Sequence, residues 1–228
     1  GISVVNWLTE HQCIYSGADA YFYRITTSKI PMKEAFDQAG VATPPWKIIR
    51  NADYDTSALF AELGSPIILK PAISGGSMGV GIKNVVSTPE EASEQINNMF
   101  KGYRGWNLAA DGIIAEAFIA GPEFTTLISG SASPNHPCKV YIPVERVFHH
   151  SLSEQEKFLS FDRLWEIYEE ESPMPESGDF YQYATPPSKL IKAIQEISVQ
   201  AYEAVHGKGY TRADIRMDRS EEHTSELQ

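Results

Sequence analysis

The sequence predicts an α+β fold in which strands gather in groups. Three observations carry this. Two β-branched segments flank a glycine-rich stretch at residues 75–81. Three more strand-like segments follow one another between residues 112 and 148. Helical spacing is confined to separate stretches, the longest at 188–206. A doubly wound parallel sheet would instead set a helix after nearly every strand.

Taken in order, Ile2 to Leu8 is short and apolar and reads as the end of a helix. "CIYSGADA", Cys13 to Ala20, reads as a strand entering a glycine turn. Lys29 to Ala39 has helical spacing through Met32, Ala35, Phe36 and Ala39, with Gly40 as its stop. "VATPPWKII" is extended, because proline disfavours helix at the residue before it. Ser57 to Leu63 is a short helix, and Ile67 to Lys70 a buried strand. Gly81 to Val86 is a second strand beyond the glycines. "STPEEASEQINNMFKG" opens with capping residues and a proline, then continues with helical spacing. Gly112 to Phe118, "EFTTLISG" and "CKVYIPVERVF" are strands. Ser153 to Gly178, acidic and aromatic, reads as a long loop over a site. Ser188 to His206 is an amphipathic helix, and "GKGYTRADIRMD" a glycine stop followed by a strand.

The totals exclude several classes. The 228 residues carry 42% apolar and 21% charged side chains, ordinary for a globular protein with a substantial core. A net charge of −11 with no basic run argues against a nucleic-acid surface. No apolar run is long enough to span a bilayer, and the start has no signal-peptide pattern. Cys13 and Cys138 stand far apart and outside any C-x-x-C, which reads as reduced thiols in a cytoplasmic protein.

"SPIILKPAISGGSMGVGIKNV" is the stretch richest in chemistry. Gly75-Gly76-Ser77-Met78-Gly79 fits G-x-S-x-G, the elbow of a hydrolase serine, but an elbow leads into a helix and "VGIKNVV" favours a strand. His136, His149 and His150 give no triad signature. A Walker loop needs Lys-Ser or Lys-Thr after its last glycine, and Ile82-Lys83 follows Gly81. A dinucleotide fingerprint would open a helix. What remains is a glycine flap between two antiparallel strands with Lys70 beneath it, suited to phosphate because bare N–H groups approach its oxygens closely. A plain hairpin is the simpler alternative, but Gly75, Gly76, Gly79 and Gly81 exceed what one turn requires.

"SPIILKPAISGGSMGVGI", "IIAEAFIAGPEFTTLISG" and "GYTRADIRMD", in that order, resemble the ATP-grasp superfamily, specifically its D-alanine–D-alanine ligase branch. "CIYSGADA" and "SKIPMKEAFDQAGVATPPW" are similar to that branch's entry segment. The resemblance implies two α+β subdomains clamping ATP. Residues 28–116 would form the smaller one with the flap, 117–218 the larger, and 1–27 a remnant of a preceding domain. Lys29 and Lys70 would contact ATP phosphates under the flap of Gly75, Gly76, Ser77 and Gly79. Glu116 would accept from the adenine amino group, with the backbone of Ala117 and Ile119 beside it, and Glu123 would bind the ribose. Arg212 would stabilise a tetrahedral intermediate, and Asp214 would be the first carboxylate holding Mg²⁺. Each of these charges also has a structural alternative; Arg212 and Asp214, two apart on a strand, could form an ion pair.

The implied reaction is ATP-dependent joining of a carboxylate and an amine through an acyl phosphate. The substrates would be an amino acid or carboxylic acid plus an amine, and the parent enzyme a homodimer. Two departures bear on this. The branch's mobile-loop lysine is matched by Leu164 in "SFDRLWEIYEEES", with Arg163 adjacent, which admits a non-catalytic ATP-binding homologue. The last ten residues, "RSEEHTSELQ", match the translation of a sequencing-library adapter, so 219–228 is expected to be non-native. It stands where the family's further magnesium ligands, Glu-x-Asn, would follow. The chain is therefore expected to be a fragment truncated at both ends and inactive by itself. A serine hydrolase using Ser77 is the remaining alternative.

Overall fold

A computed structural model describes residues 3–102, 105–133, 137–174 and 178–218. The chain start at Gly1, His136 and the segment 219–228 lie outside the described residues. In chain order the helices are Val4–Glu10 (α1), Ala20–Thr27 (α2), Lys29–Ala39 (α3), Thr56–Leu63 (α4), Pro89–Lys101 (α5), Phe161–Trp165 (α6) and Ser188–Ala204 (α7). The strands are Trp46–Ile49 (β1), Ile67–Pro71 (β2), Val85–Val86 (β3), Ile113–Ala117 (β4), Glu123–Ser131 (β5), Lys139–Val140 (β6), Val144–Phe148 (β7), Tyr181–Ala184 (β8) and Lys208–Arg216 (β9). The α+β expectation holds.

The chain divides by contact into two compact units that interleave in sequence. One is Gly1–Thr43, Glu123–Arg146 and Tyr183–Ile215; the other is Pro44–Pro122, Val147–Gln182 and Arg216–Gln228. The expected segment 28–116 gives its helix α3 to the first unit and its sheet to the second.

In the second unit, four strands run in the order β1-β4-β2-β3, with β1 and β2 each antiparallel to β4. One face packs Ile49, Ile67, Leu69, Ile113 and Ala115 against Leu59, Leu63, Ala92 and Ile96 of α4 and α5. Two capped starts hold those helices. Asp55 accepts from Ala58 N at 3.0 Å and Thr88 from Glu91 N at 3.2 Å, each cap worth about 1 kcal/mol. The other face carries Ile68, which packs with Val80, Phe118 and Phe158. Because both faces of β2 are covered, its sequence reads as a continuous apolar run.

In the first unit, β5 pairs with β6, β7 and β9. Phe22, Ile25, Ile128, Tyr202 and Val205 form its core, with Met32 and Phe36 of α3 packed against it. Helix α3 ends at Gly40 in the left-handed conformation (φ 68°), the predicted stop.

Four sequence expectations need correction. Cys13–Ala20 forms no strand: Ile14 is fully exposed and Asp19 instead caps α2 through Phe22 N at 2.8 Å. Of the expected strand at 81–86, residues Val85–Val86 alone pair with β2. Ile82–Asn84 winds into a 3-10 turn because the Asn84 side chain accepts from Gly81 N at 2.8 Å. The segment 138–148 is two strands, since Pro143 has no N–H to give a ladder. The acidic stretch after Ser153 contains α6 and buries Asp162 and Glu171.

Candidate functional site

The glycine stretch leaves β2 at Pro71, where Ala72 N–H donates to Gly112 O at 2.9 Å. Inside it Met78 N–H donates to Gly75 O (3.2 Å) and Val80 N–H to Ser77 O (2.9 Å), so two tight turns follow each other. Gly76, Ser77 and Gly79 all have positive φ. At Gly79 (φ 72°) an added Cβ would come within 2.6 Å of Leu108 and 3.1 Å of Pro71, which leaves glycine as the fitting residue. Buried Asn84 stitches the two stems together. Its amide donates to Leu69 O (2.8 Å) and Gly79 O (3.2 Å) while its oxygen takes Gly81 N–H. Sequence reasoning missed Asn84; a lone amide inside the apolar run "VGIKNVV" was the available signal.

Lys70 and Glu116 meet on the sheet face away from α4 and α5. Glu116 is the register partner of Ile68, so Lys70 lies diagonally across from it, and Lys70 Nζ donates to Glu116 Oε2 at 2.6 Å. The lysine side chain is 27% exposed and the carboxylate 9%, so this is a half-desolvated pair. Of the backbone groups predicted to flank a base, Ala117 N–H donates to Pro45 O at 3.0 Å, and Ile119 O accepts from Arg216 Nη1 at 2.9 Å.

The remaining charged candidates belong to the other unit. Glu123 on β5 and Arg146 on β7 are direct register partners, and Arg146 donates to Glu123 from a fully buried position. Arg146 Nη2 also lies 3.8 Å from Asp214 Oδ1. Arg212 reaches the same carboxylate, Nε to Oδ1 at 3.2 Å and Nη2 to Oδ2 at 3.3 Å, the ion pair its spacing admits. Glu123, Arg146, Asp214 and Arg212 thus form an alternating chain of charges. Arg146 was not singled out from sequence; its position opposite Glu123 becomes visible once the two strands are paired. Lys29 is the first residue of α3, in this same unit.

The structure therefore brings Lys70 to Glu116 at the foot of the glycine stretch, and Glu123 to Asp214 and Arg212 through Arg146. Lys70 stands beside a glycine loop in which the amides of Met78, Val80 and Gly81 are already bonded. Asp214 does not by itself fit magnesium: two guanidinium groups already share its carboxylate. Among the described residues no group of three His, Cys, Asp or Glu is assembled. Ser77 has no hydrogen bond to a histidine among the described residues, and a 3-10 turn, not an elbow helix, follows it. No helix of the described residues is long and apolar enough to cross a membrane.

Comparison with solved structures places this architecture. The VanG D-Ala:D-Ser ligase of Enterococcus faecalis superposes with a TM-score of 0.69 at 18% identity, over 96% of this chain and 56% of that one. The ATP complex of D-alanine–D-alanine ligase from Bacillus anthracis gives 0.67 at 17% identity, over 95% and 59%. The fold is thus the ATP-grasp fold. At the sequence level, D-alanine–D-alanine ligase of Cupriavidus metallidurans is 28% identical over 211 residues, 90% of this chain and 54% of the relative. That of Desulforudis audaxviator is 25% identical over 209 residues, 91% and 59% respectively. The chain spans between half and three-fifths of these relatives' length. The family described as D-ala D-ala ligase C-terminus matches residues 35–226, into the stretch set apart above as adapter. The chain belongs to that family.

Proposed function

We propose that this chain is the nucleotide-binding part of an ATP-dependent carboxylate–amine ligase of the D-alanine–D-alanine ligase type. The observation that carries the reading is the family match over a stretch holding Lys70 directly before a glycine loop stitched by Asn84. A carboxylate is a poor acyl donor. ATP would transfer its terminal phosphoryl group to the acid oxygen, releasing ADP. The amine nitrogen would then attack the acyl carbon, and phosphate would leave with that oxygen. Negative charge grows on the transferring group, and Lys70 with the loop N–H groups of Gly75, Gly76, Ser77 and Gly79 would oppose it. Glu116 and Glu123 would face base and ribose, and Arg212 the tetrahedral oxyanion. Lys29 would add charge toward the phosphates. Mg²⁺, when bound, would neutralise the phosphate oxygens; Asp214, shared by two guanidinium groups, is not assigned to it. We place the enzyme in the cytoplasm with small amino acids as substrates.

Release of inorganic phosphate from ATP by the full-length enzyme, offered D-alanine and other small amino acids in turn, tests the reading. Release with at least one substrate, lost in Lys70→Met, is the expected result. A second reading, ATP binding without turnover, is motivated by Leu164 and by the burial of neighbouring Arg163 in ion pairs with Glu156 and Glu171. ATP binding with background release from every substrate would select it.

A further inference from the structure

Glu171 ends an acidic run, Glu169-Glu170-Glu171, yet it is 4% exposed. Burying a carboxylate costs several kcal/mol unless donors replace water. Here the donors come from two places. Oε1 accepts the backbone N–H of Ile82 at 3.0 Å, at the base of the glycine stretch. Oε2 accepts Ser160 Oγ at 2.6 Å and faces Arg163 Nε at 3.3 Å. Arg163 is held in turn by Glu156, Nη2 to Oε1 at 2.9 Å. The backbone carrying Glu171 is itself pinned, because Asp162 Oδ2 accepts the N–H groups of Glu170 (2.6 Å) and Glu171 (3.0 Å).

The same segment reaches the glycine stretch at two further points. Phe161 N–H donates to Val80 O at 2.9 Å. Trp165 Nε1–H donates to Gly76 O at 2.8 Å, and its ring would lie 3.1 Å from a Cβ placed on Gly76. The contacts differ in kind. The one at Ile82 is part-buried and charge-assisted, whereas Trp165 is more than half exposed at the loop's tip.

We propose that Glu171 is a positioning residue that fixes the base of the glycine loop, and that Trp165 is a releasable clasp on its tip. The inference deepens the nucleotide reading and takes its purpose from it. A loop that must aim N–H groups at phosphate needs a fixed stem, and a tip that can let the phosphates in. The segment 151–174 supplies both.

The test is residue-resolved amide hydrogen exchange on the 228-residue chain, with Glu171→Gln and Trp165→Phe, without nucleotide. In Glu171→Gln the amides of Val80, Ile82 and Asn84 should exchange about tenfold faster or more, as loss of one charge-assisted bond implies, while those of β2 and β4 keep their protection. In Trp165→Phe, Met78 and Val80 should accelerate and Ile82 should not. Unchanged exchange at Ile82 in Glu171→Gln overturns the proposal. Should that variant lose protection throughout the sheet, Trp165→Phe decides, and unchanged Met78 and Val80 overturn it. Titration with ATP forms a separate arm: weaker ATP binding by Glu171→Gln, at a sheet protection equal to the wild type's, supports positioning. A full-length enzyme that binds no ATP removes the nucleotide reading, while the exchange pattern still decides the role of Glu171.

Discussion

Lys70 and Glu116, on neighbouring antiparallel strands, hold each other at 2.6 Å on the sheet face opposite α4 and α5. Both were singled out in the sequence for separate partners, a phosphate and a base. The structure joins them, so a ligand reaching either must exchange with the other. Replacing Lys70 by Met leaves a carboxylate buried without its cation, and should cost about 1–3 kcal/mol in urea unfolding. Adding Glu116→Leu should recover most of that loss, because the charge and its partner then leave together. ATP binding should be lost in both variants.

Asn84→Ala removes three hydrogen bonds that join Leu69, Gly79 and Gly81. At about 1 kcal/mol each, the expected loss is roughly 2–3 kcal/mol. It should show as a lower urea midpoint with an unchanged slope.

Tyr202 is buried in the core of the first unit and donates its hydroxyl to Gly130 O at 3.0 Å. Burial pushes its pKa up to about 12. A raised pKa means the folded state keeps its proton longer, so this stabilisation is complete below the unfolded value of about 10 and is lost as pH rises toward the folded one. Tyr202→Phe should be about 1 kcal/mol less stable near neutral pH. The gap to the wild type should close as pH rises from about 10 to 12, measured by urea unfolding at each pH.

The Arg163 guanidinium donating to Glu156 holds that carboxyl below the usual range, against a smaller opposing effect of burial. A depressed pKa contributes stability above the unfolded value of about 4.3, and that contribution fades as pH falls through the folded one. Glu156→Gln should therefore lose stability at neutral pH, and the difference should shrink below about pH 4 in acid titrations of the folded state. A difference that stays constant into acid would show that the pair contributes nothing through charge.

Much of this was legible in the sequence where local physics decides. Helix α3 and its glycine stop, the Thr88 cap of α5, and the apolar runs of β2 and β4 depend on neighbours in the chain. The failures lie where distant partners decide. Nothing local says that Arg146 stands opposite Glu123, or that Glu171 turns inward to meet Ile82. Ile14 carries strand propensity but has no strand to join, and Pro143 interrupts a run whose two halves each look extended. The candidate residues were found as types in order; their pairing with one another became visible once the sheets were assembled.

The interleaving of the two units bears on how this polypeptide is made. The strand Lys208–Arg216 pairs with one that ends at Ser131, so the first unit cannot close until residue 216 has left the ribosome. The four-stranded sheet of the second unit is complete by Ala117 and can form early. Synthesis thus favours an order in which the glycine-bearing half takes shape while the Glu123 strand, already able to pair with Lys139–Val140 and Val144–Phe148, waits for a further partner translated some eighty residues later. No single cut in the gene separates the two units from each other.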